Sequence, residues 1–574
     1  MSKNMISEHG PAKERNGTDE NDAFDAIARG RGETHEVSNQ PVELADYNLF
    51  NGDQALREAV RREGAGFAFR ELESLGRRAG AASFLEQGAR ANEFAPTLET
   101  HDRYGRRVNR VNYHPAYHAL MREAVGEGLT ASPWTEPRPG AHVARAARFY
   151  LQTQAEAGHL CPITMTFAAT PVLARESALA ADWLPKIHSR NYDPRDMPIS
   201  AKRSAMIGMA MTEKQGGSDV HANATRAFPA RDGGGRAYAL VGHKFFVSAP
   251  MSDAFLTLAQ APGGLSCFLL PRWRPDGTRN AMEIVRLKRK MGNASNATAE
   301  VEFRGATAWM VGPEGGGVAT ILEMVAMTRF DCIVGSAAGM RAASANAIDH
   351  CRQRKAFGEY LIDQPLMRNV LADLAIESEA ALAFSMRVAR ALDHRGASDE
   401  DSFARIAIPL GKYWICKRTP AHAYEAMECL GGSGFMEDSP MPRFYREAPV
   451  NAIWEGSGNI QCLDVLRALR RSPDPLDACF TEIEHARGGH RALDRHLDAL
   501  KAAARELCAS EAGARDFACR LSCALQASLL VQHAPPATAD AFCRARLDPR
   551  CAQLYGALPP DVDFRAIIAR AASR

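Results

Sequence analysis

The order of two sequence textures constrains the fold of this 574-residue chain most. Short β-type runs are confined to one stretch, between Ile207 and Trp309, and helical periodicity lies on both sides of it. The runs Ala237 to Val241, Phe255 to Ala259, Leu265 to Leu270 and Thr298 to Phe303 are punctuated by Gly, Pro and Asp turns, as strands are. From Glu43 to about Arg190, and again from about Gly317 to Leu469, apolar residues recur at helical spacing; Gly140 to Glu156 is one example. Ser472-Pro-Asp-Pro475 marks a break, and a further helical stretch follows, including the amphipathic Ala492 to Cys508. The expected class is α+β, mainly α. The expected divisions are a disordered leader (1–38), an N-terminal helical domain (39–205), a middle β-domain (206–312), a second helical domain (313–472) and a helical extension (473–574).

Bulk properties exclude several classes. A 46% hydrophobic chain of this length can bury a large core. The net charge of +2 forces neither a nucleic-acid nor a membrane partner. The 13 cysteines are scattered without zinc spacing, so free thiols in a reducing cytoplasm are expected, and no metal. Met1 to Gly10 carries no apolar signal-peptide core, and no apolar run is long enough to span a membrane. Nucleophile-elbow, P-loop and H-E-x-x-H motifs are absent.

Five short segments carry chemistry. In Asn451-Ala-Ile-Trp-Glu-Gly-Ser-Gly-Asn-Ile-Gln461, the carboxylate of Glu455 precedes a glycine turn; in an apolar pocket its pKa would rise towards that of a general base. Met211-Thr-Glu-Lys-Gln-Gly-Gly-Ser-Asp219 offers glycines for close backbone approach and hydroxyls for a phosphate. Lys244-Phe-Phe-Val-Ser248 sets an aromatic beside a small hydroxyl on a strand, which suits a flat heterocycle. Arg354-Lys-Ala-Phe-Gly358 pairs a bidentate cation with a stacking face. Leu430-Gly-Gly-Ser-Gly-Phe435 is a glycine turn after a helix, readable as a phosphate cradle or a helix cap.

In this order and at these separations, the five segments resemble the acyl-CoA dehydrogenase family over roughly residues 140 to 470. Thr34-His-Glu-Val-Ser-Asn-Gln-Pro41, Gly140-Ala-His-Val-Ala-Arg-Ala-Ala-Arg-Phe149, Cys161-Pro-Ile-Thr-Met-Thr-Phe-Ala-Ala-Thr170, Met327-Thr-Arg-Phe-Asp-Cys332 and the extension after Pro473 are similar to its AidB-type branch, associated with the bacterial adaptive response to DNA alkylation. The resemblance implies a helical N-domain, a barrel-like β-domain and a C-terminal four-helix domain, with FAD between the last two. It implies that Thr212, Gly217 and Ser218 hold the flavin and pyrophosphate and that Phe246, Val247 and Ser248 face the ring. Arg354, Phe357, Gly431 and Gly432 would reach a neighbouring subunit's FAD in a homotetramer, and Ser457 and Asn459 would close over the ADP part. Glu455 matches the base that removes the α-proton of an acyl-CoA thioester while hydride leaves Cβ for the flavin. The base's own backbone N–H and a ribityl hydroxyl would polarise the thioester carbonyl. Some members place the base on another helix, before an Arg; that slot here is Thr328, which cannot serve. Arg329, Trp454 and Gly456 are expected at the substrate, Trp454 reshaping the acyl pocket.

The branch also implies duplex DNA as a partner. Charge supports this weakly, with 13 Lys/Arg against 12 Asp/Glu in residues 475–574. Arginines still cluster at Arg467, Arg470 and Arg471 and at Arg544, Arg546 and Arg550, where they could neutralise phosphates without reading sequence. The expectation is an FAD-containing homologue that binds DNA and protects or repairs it, with weak acyl-CoA dehydrogenase activity. The alternative is a metabolic dehydrogenase of a short or branched acyl-CoA with no DNA role.

Overall fold

A computed structural model describes residue 25 and residues 34–230, 236–547 and 554–573. The expected leader lies almost wholly outside these. Among these, the residues up to Val42 form a unit of their own, and those from Glu43 onward form the second.

The second unit opens with helices α1 (Gln54–Arg62), α2 (Phe69–Ala79), α3 (Ala82–Glu93) and α4 (Pro115–Gly126). They continue in α5 (Ala141–Ala155), α6 (Leu160–Leu173) and α7 (Ser177–Ile187). Helix α5 is buried at every position, which explains its small residues: bulk would keep neighbouring helices apart. The helical reading of this region missed one hairpin, β1 (Thr97–His101) with β2 (Arg107–Asn112). Its signal was local: Asp102 accepts hydrogen bonds from the Tyr104 and Arg106 amides, and Gly105 takes φ +78° in the turn.

The strand-rich stretch forms seven strands: β3 (Ile207–Ala210), β4 (Arg226–Pro229), β5 (Ala237–Ser248), β6 (Ala254–Ala261), β7 (Gly264–Pro271), β8 (Met282–Leu287) and β9 (Thr298–Val311). Their order is β3-β6-β4-β5-β9-β7, with β8 beside β9, and β6 also pairs with β7. That last pairing closes the path into a barrel, so only short edges remain. Leu240, Val247, Phe255, Phe268, Val301 and Phe303 fill it.

Three long helices follow: α8 (Gly317–Gln353), α9 (Pro365–Asp393) and α10 (Ser398–Glu428), packed on one another. Helix α8 also packs on α5 and α6. The chain ends in α11 (Gly458–Arg471), α12 (Asp474–Glu484), α13 (Arg491–Ala509), α14 (Ala514–His533), α15 (Pro536–Arg546) and α16 (Phe564–Ala571). All but α13 pack onto α9 or α10, α13 packs on α14, and all of them share one apolar core. Among the described residues, no helix is long and apolar enough to cross a membrane, and no group of side chains could hold a metal ion. The twelve described cysteines are free.

Candidate active site

Glu455 sits in the loop that enters α11, at φ +58°, a region a residue with a Cβ occupies only under constraint. The constraint is visible at three consecutive carbonyls. Lys412 Nζ on α10 donates to Trp454 O at 2.9 Å and to Gly456 O at 3.2 Å. Arg329 Nε on α8 donates to Glu455 O at 2.9 Å. Gln461 Nε2 donates to Glu455 O and Gly456 O at 3.1 and 2.9 Å. Gly456 takes φ +93°, and a Cβ there would lie 2.7 Å from Gln461 Nε2, so the glycine is required on both counts.

The Glu455 carboxylate accepts a 2.7 Å hydrogen bond from Thr328 Oγ1. Burial raises its pKa; the Thr328 bond and the charges of Arg329 and Lys412 oppose that rise without cancelling it. Cys161, on α6, feels both the Glu455 charge and groups of the barrel. Its thiol is pushed up to about 11 by burial, and its electrostatic neighbours include Lys290, Ser248, Asn296 and Glu455. Ser248 ends β5.

Two of the five segments are tied together by charge. Glu213 and Lys244 form a 2.7 Å ion pair, both side chains fully buried. Burial raises the Glu213 pKa, but the Lys244 ammonium and further hydrogen bonds outweigh it and hold it at about 2. Glu213 also accepts from the amides of Ala224 and Thr225. The pair fixes the glycine turn against β5. A Cβ at Gly217 would lie 3.3 Å from the Thr212 methyl, so the turn hugs Thr212. Ser218 is exposed. Phe246 is 48% exposed with the Lys288 ammonium 4.4 Å from its ring centre, while the Val247 side chain is in the barrel core. Only the Val247 main chain can therefore face a ligand.

Arg354 is the C-cap of α8, and Phe357, at φ +54°, is 99% exposed in the hairpin that follows. Gly431, at φ +60°, and Gly432 are open, with nothing within 4 Å of a Cβ at either. Ser457 and Asn459 are exposed at the start of α11, and Asn459 Oδ1 accepts from Arg515 Nε at 2.8 Å. An exposed ring and a half-buried hydroxyl towards the end of β5 have the chemistry to face a flavin ring, and the helix N-terminus with its hydroxyl and amide has the chemistry to meet a phosphate.

Arg329 and Trp454 lie beside Glu455. Arg329 turns its guanidinium to the Glu455 carbonyl and to Asp464 at 2.7 Å. Trp454 donates from Nε1 to Asn451 Oδ1 at 3.0 Å. Lys412 and Gln461 were missed by sequence reasoning. A lone lysine inside Ile408-Pro-Leu-Gly-Lys-Tyr-Trp-Ile-Cys416 was the available sign.

Three branch-type segments meet just below. Arg145 forms a bidentate pair with Asp331 at 2.7 and 2.8 Å, and Thr164 Oγ1 donates to Asp331 at 2.7 Å. Arg145 is fully buried, and Asp331 lies one turn after Thr328 on α8.

The arginine clusters divide. Arg467, Arg470 and Arg471 are exposed on α11, and Arg470 lies 3.7 Å from Glu511. The second cluster is corrected. Arg546 turns inward to Asp373 and Glu377, and Arg544 pairs with Asp540 and Asp561, because acidic partners sit within reach of both. Arg550 lies outside the described residues.

Sequence profiles match along the chain: the adaptive response protein AidB N-terminal domain at residues 39–194, the acyl-CoA dehydrogenase middle domain at 208–306 and the acyl-CoA dehydrogenase C-terminal domain at 315–470. The chain is 48% identical over 520 residues to "Putative acyl-CoA dehydrogenase AidB" of Escherichia coli (strain K12), covering 90% of this chain and 95% of that one. It is 31% identical over 454 residues to acyl-CoA dehydrogenase family member 11 of Caenorhabditis elegans, covering 75% and 70%. Among solved structures, C. elegans ACDH-11 in complex with C11-CoA superposes with a TM-score of 0.81 at 26% identity, covering 95% of each chain. Bd2924 in its apo-form gives 0.79 at 29% identity, covering 87% of this chain and all of that one.

Proposed function

Because the chain belongs to the acyl-CoA dehydrogenase family, FAD-dependent oxidoreductases acting on CH–CH groups, and to its AidB-type branch, we propose that it is a flavoprotein retaining acyl-CoA dehydrogenase chemistry and acting near duplex DNA. The observation that carries the chemistry is Glu455: a carboxylate with a raised pKa, held by Thr328 in a loop whose Trp454, Glu455 and Gly456 carbonyls are taken up by Lys412, Arg329 and Gln461.

Thr212, Gly217 and Ser218 hold the pyrophosphate side of FAD, and Phe246, the Val247 main chain and Ser248 face its ring. Ser457 and Asn459 close over the ADP part. When bound, FAD supplies the acceptor for the hydride that leaves Cβ of the acyl chain. Glu455 takes the α-proton, so the Cα–Cβ bond becomes double and the carboxylate becomes a carboxylic acid. A raised pKa suits a base that must take a proton from carbon near neutral pH. The Glu455 N–H meets the thioester carbonyl, where negative charge develops. Trp454 limits the acyl pocket beside the α-carbon. The complex of ACDH-11 with C11-CoA supports a thioester as the substrate class.

Arg354, Phe357, Gly431 and Gly432 complete a second subunit's FAD site in a homotetramer; the near-total exposure of Phe357, and of Phe435 at 79%, supports a covering partner. Arg467, Arg470 and Arg471, at three- and four-residue spacing on one exposed helix face, take the phosphates of duplex DNA.

The test is anaerobic addition of an acyl-CoA panel to the purified yellow protein, with and without duplex DNA. Bleaching of the flavin by at least one thioester supports the reading. A protein that neither carries FAD nor takes it up would end it.

A further inference from the structure

Lys412 is 1% exposed, and among the described residues no carboxylate lies within ion-pair distance of its ammonium. Its two hydrogen bonds go to the carbonyls of Trp454 and Gly456, on either side of Glu455. The Glu455 carboxylate feels its charge from beyond that distance, but burying an ammonium with no direct ion-pair partner is costly, and a neutral donor would anchor a loop at lower cost. The charge therefore calls for a role.

The peptide geometry supplies one. In a trans peptide the C=O and the next N–H point in opposite directions. Lys412 draws the Trp454 carbonyl inward, so the Glu455 N–H points away from Lys412. Among the described residues no protein group accepts from that N–H. The carbonyl of Glu455 is drawn inward in the same way by Arg329 and Gln461. A cation on a peptide oxygen also polarises the peptide and makes its N–H a stronger donor.

We propose that Lys412 is a positioning residue for the oxidation: it fixes and polarises the Trp454–Glu455 peptide, so that the Glu455 N–H is a preformed donor to the thioester carbonyl, with a buried positive charge behind it. The inference rests on Glu455 serving as the base of an acyl-CoA site. It adds a group that touches neither substrate nor flavin and acts through one peptide bond.

The experiment uses the FAD-loaded protein, the variants Lys412→Met and Lys412→Gln, and 1-¹³C-labelled undec-2-enoyl-CoA. Isotope-edited infrared spectroscopy reads the bound thioester carbonyl. Wild type should lower the carbonyl frequency on binding. Lys412→Met should keep FAD content and melting temperature, lose most of the frequency shift, and reduce flavin about ten- to a hundredfold more slowly at saturating thioester. KM should change much less than kcat. Lys412→Gln keeps a donor without the charge and should fall between the two. A folded, FAD-loaded Lys412→Met with the wild-type carbonyl band overturns the proposal and leaves the base assignment standing. Wild type that binds the probe without any carbonyl shift, or binds no thioester, removes the underlying reading and this inference with it. If both variants misfold, Lys412 is a folding element and the proposal is overturned.

Discussion

The hydroxyl of Thr328 lies 2.7 Å from Glu455 Oε2 and 3.0 Å from the carbonyl of Val325. A hydroxyl carries one proton, so it serves one of these acceptors at a time. When Glu455 is ionised the proton goes to the carboxylate; when Glu455 is protonated, the acid can donate to Thr328 and the hydroxyl proton returns to Val325. The bond favours the charged form, against the burial that favours the neutral one. Thr328→Val should therefore raise the midpoint of Glu455, and the rising limb of flavin reduction against pH should move to higher pH. Thr328→Ser should keep the wild-type profile. Superimposable profiles for wild type and the valine variant would remove Thr328 from the account.

Gly456→Ala tests the turn. The substitution forces a Cβ onto a φ of +93° and against Gln461 Nε2. Local strain of about 1–3 kcal/mol is expected, with Gln461 displaced from both carbonyls. FAD content should hold while flavin reduction by thioester falls about tenfold or more. An alanine variant reducing flavin at the wild-type rate would show that the turn tolerates the change.

The Arg145–Asp331 pair should matter for stability more than for chemistry. Removing one partner strands a fully buried charge, and breaking such a pair costs about 3–5 kcal/mol. Asp331→Asn should show this in chemical denaturation. Replacing both residues with apolar side chains should recover part of it, leaving Thr164 without its acceptor. A single variant as stable as wild type would contradict the assignment.

Replacing Arg467, Arg470 and Arg471 together with Ala should weaken binding to unrelated duplexes alike and make the salt dependence shallower, by about one in slope for each lost phosphate contact. Flavin content should be unchanged. Gel shifts at several salt concentrations read the slope. Salt-independent binding, or an unaltered triple variant, would remove this face as a DNA surface.

The candidate segments stand out in the sequence because their residues are chemically unusual for their place. Glu455 before a glycine turn, an aromatic and hydroxyl ending a strand, and paired glycines each restrict what a chain can do locally. The barrel was legible because all four runs read as strands fall within β5, β6, β7 and β9. What was hidden is long-range. Lys412, on α10, meets residues more than forty positions away. Arg329 reads as a substrate contact until its partners, the Glu455 carbonyl and Asp464, are seen. Arg546 reads as a surface cation until Asp373 and Glu377 are found beneath it. Sequence spacing shows the charge of such residues but not the partner that claims it.

The central claim is that Glu455 is the base of an FAD site, and Glu455→Gln tests it most directly. The change removes the proton acceptor and keeps the shape. Under anaerobic conditions, with a thioester that bleaches the wild-type flavin, the glutamine variant should retain FAD and bind the thioester while its flavin stays oxidised. Bleaching of the variant at the wild-type rate would contradict the account.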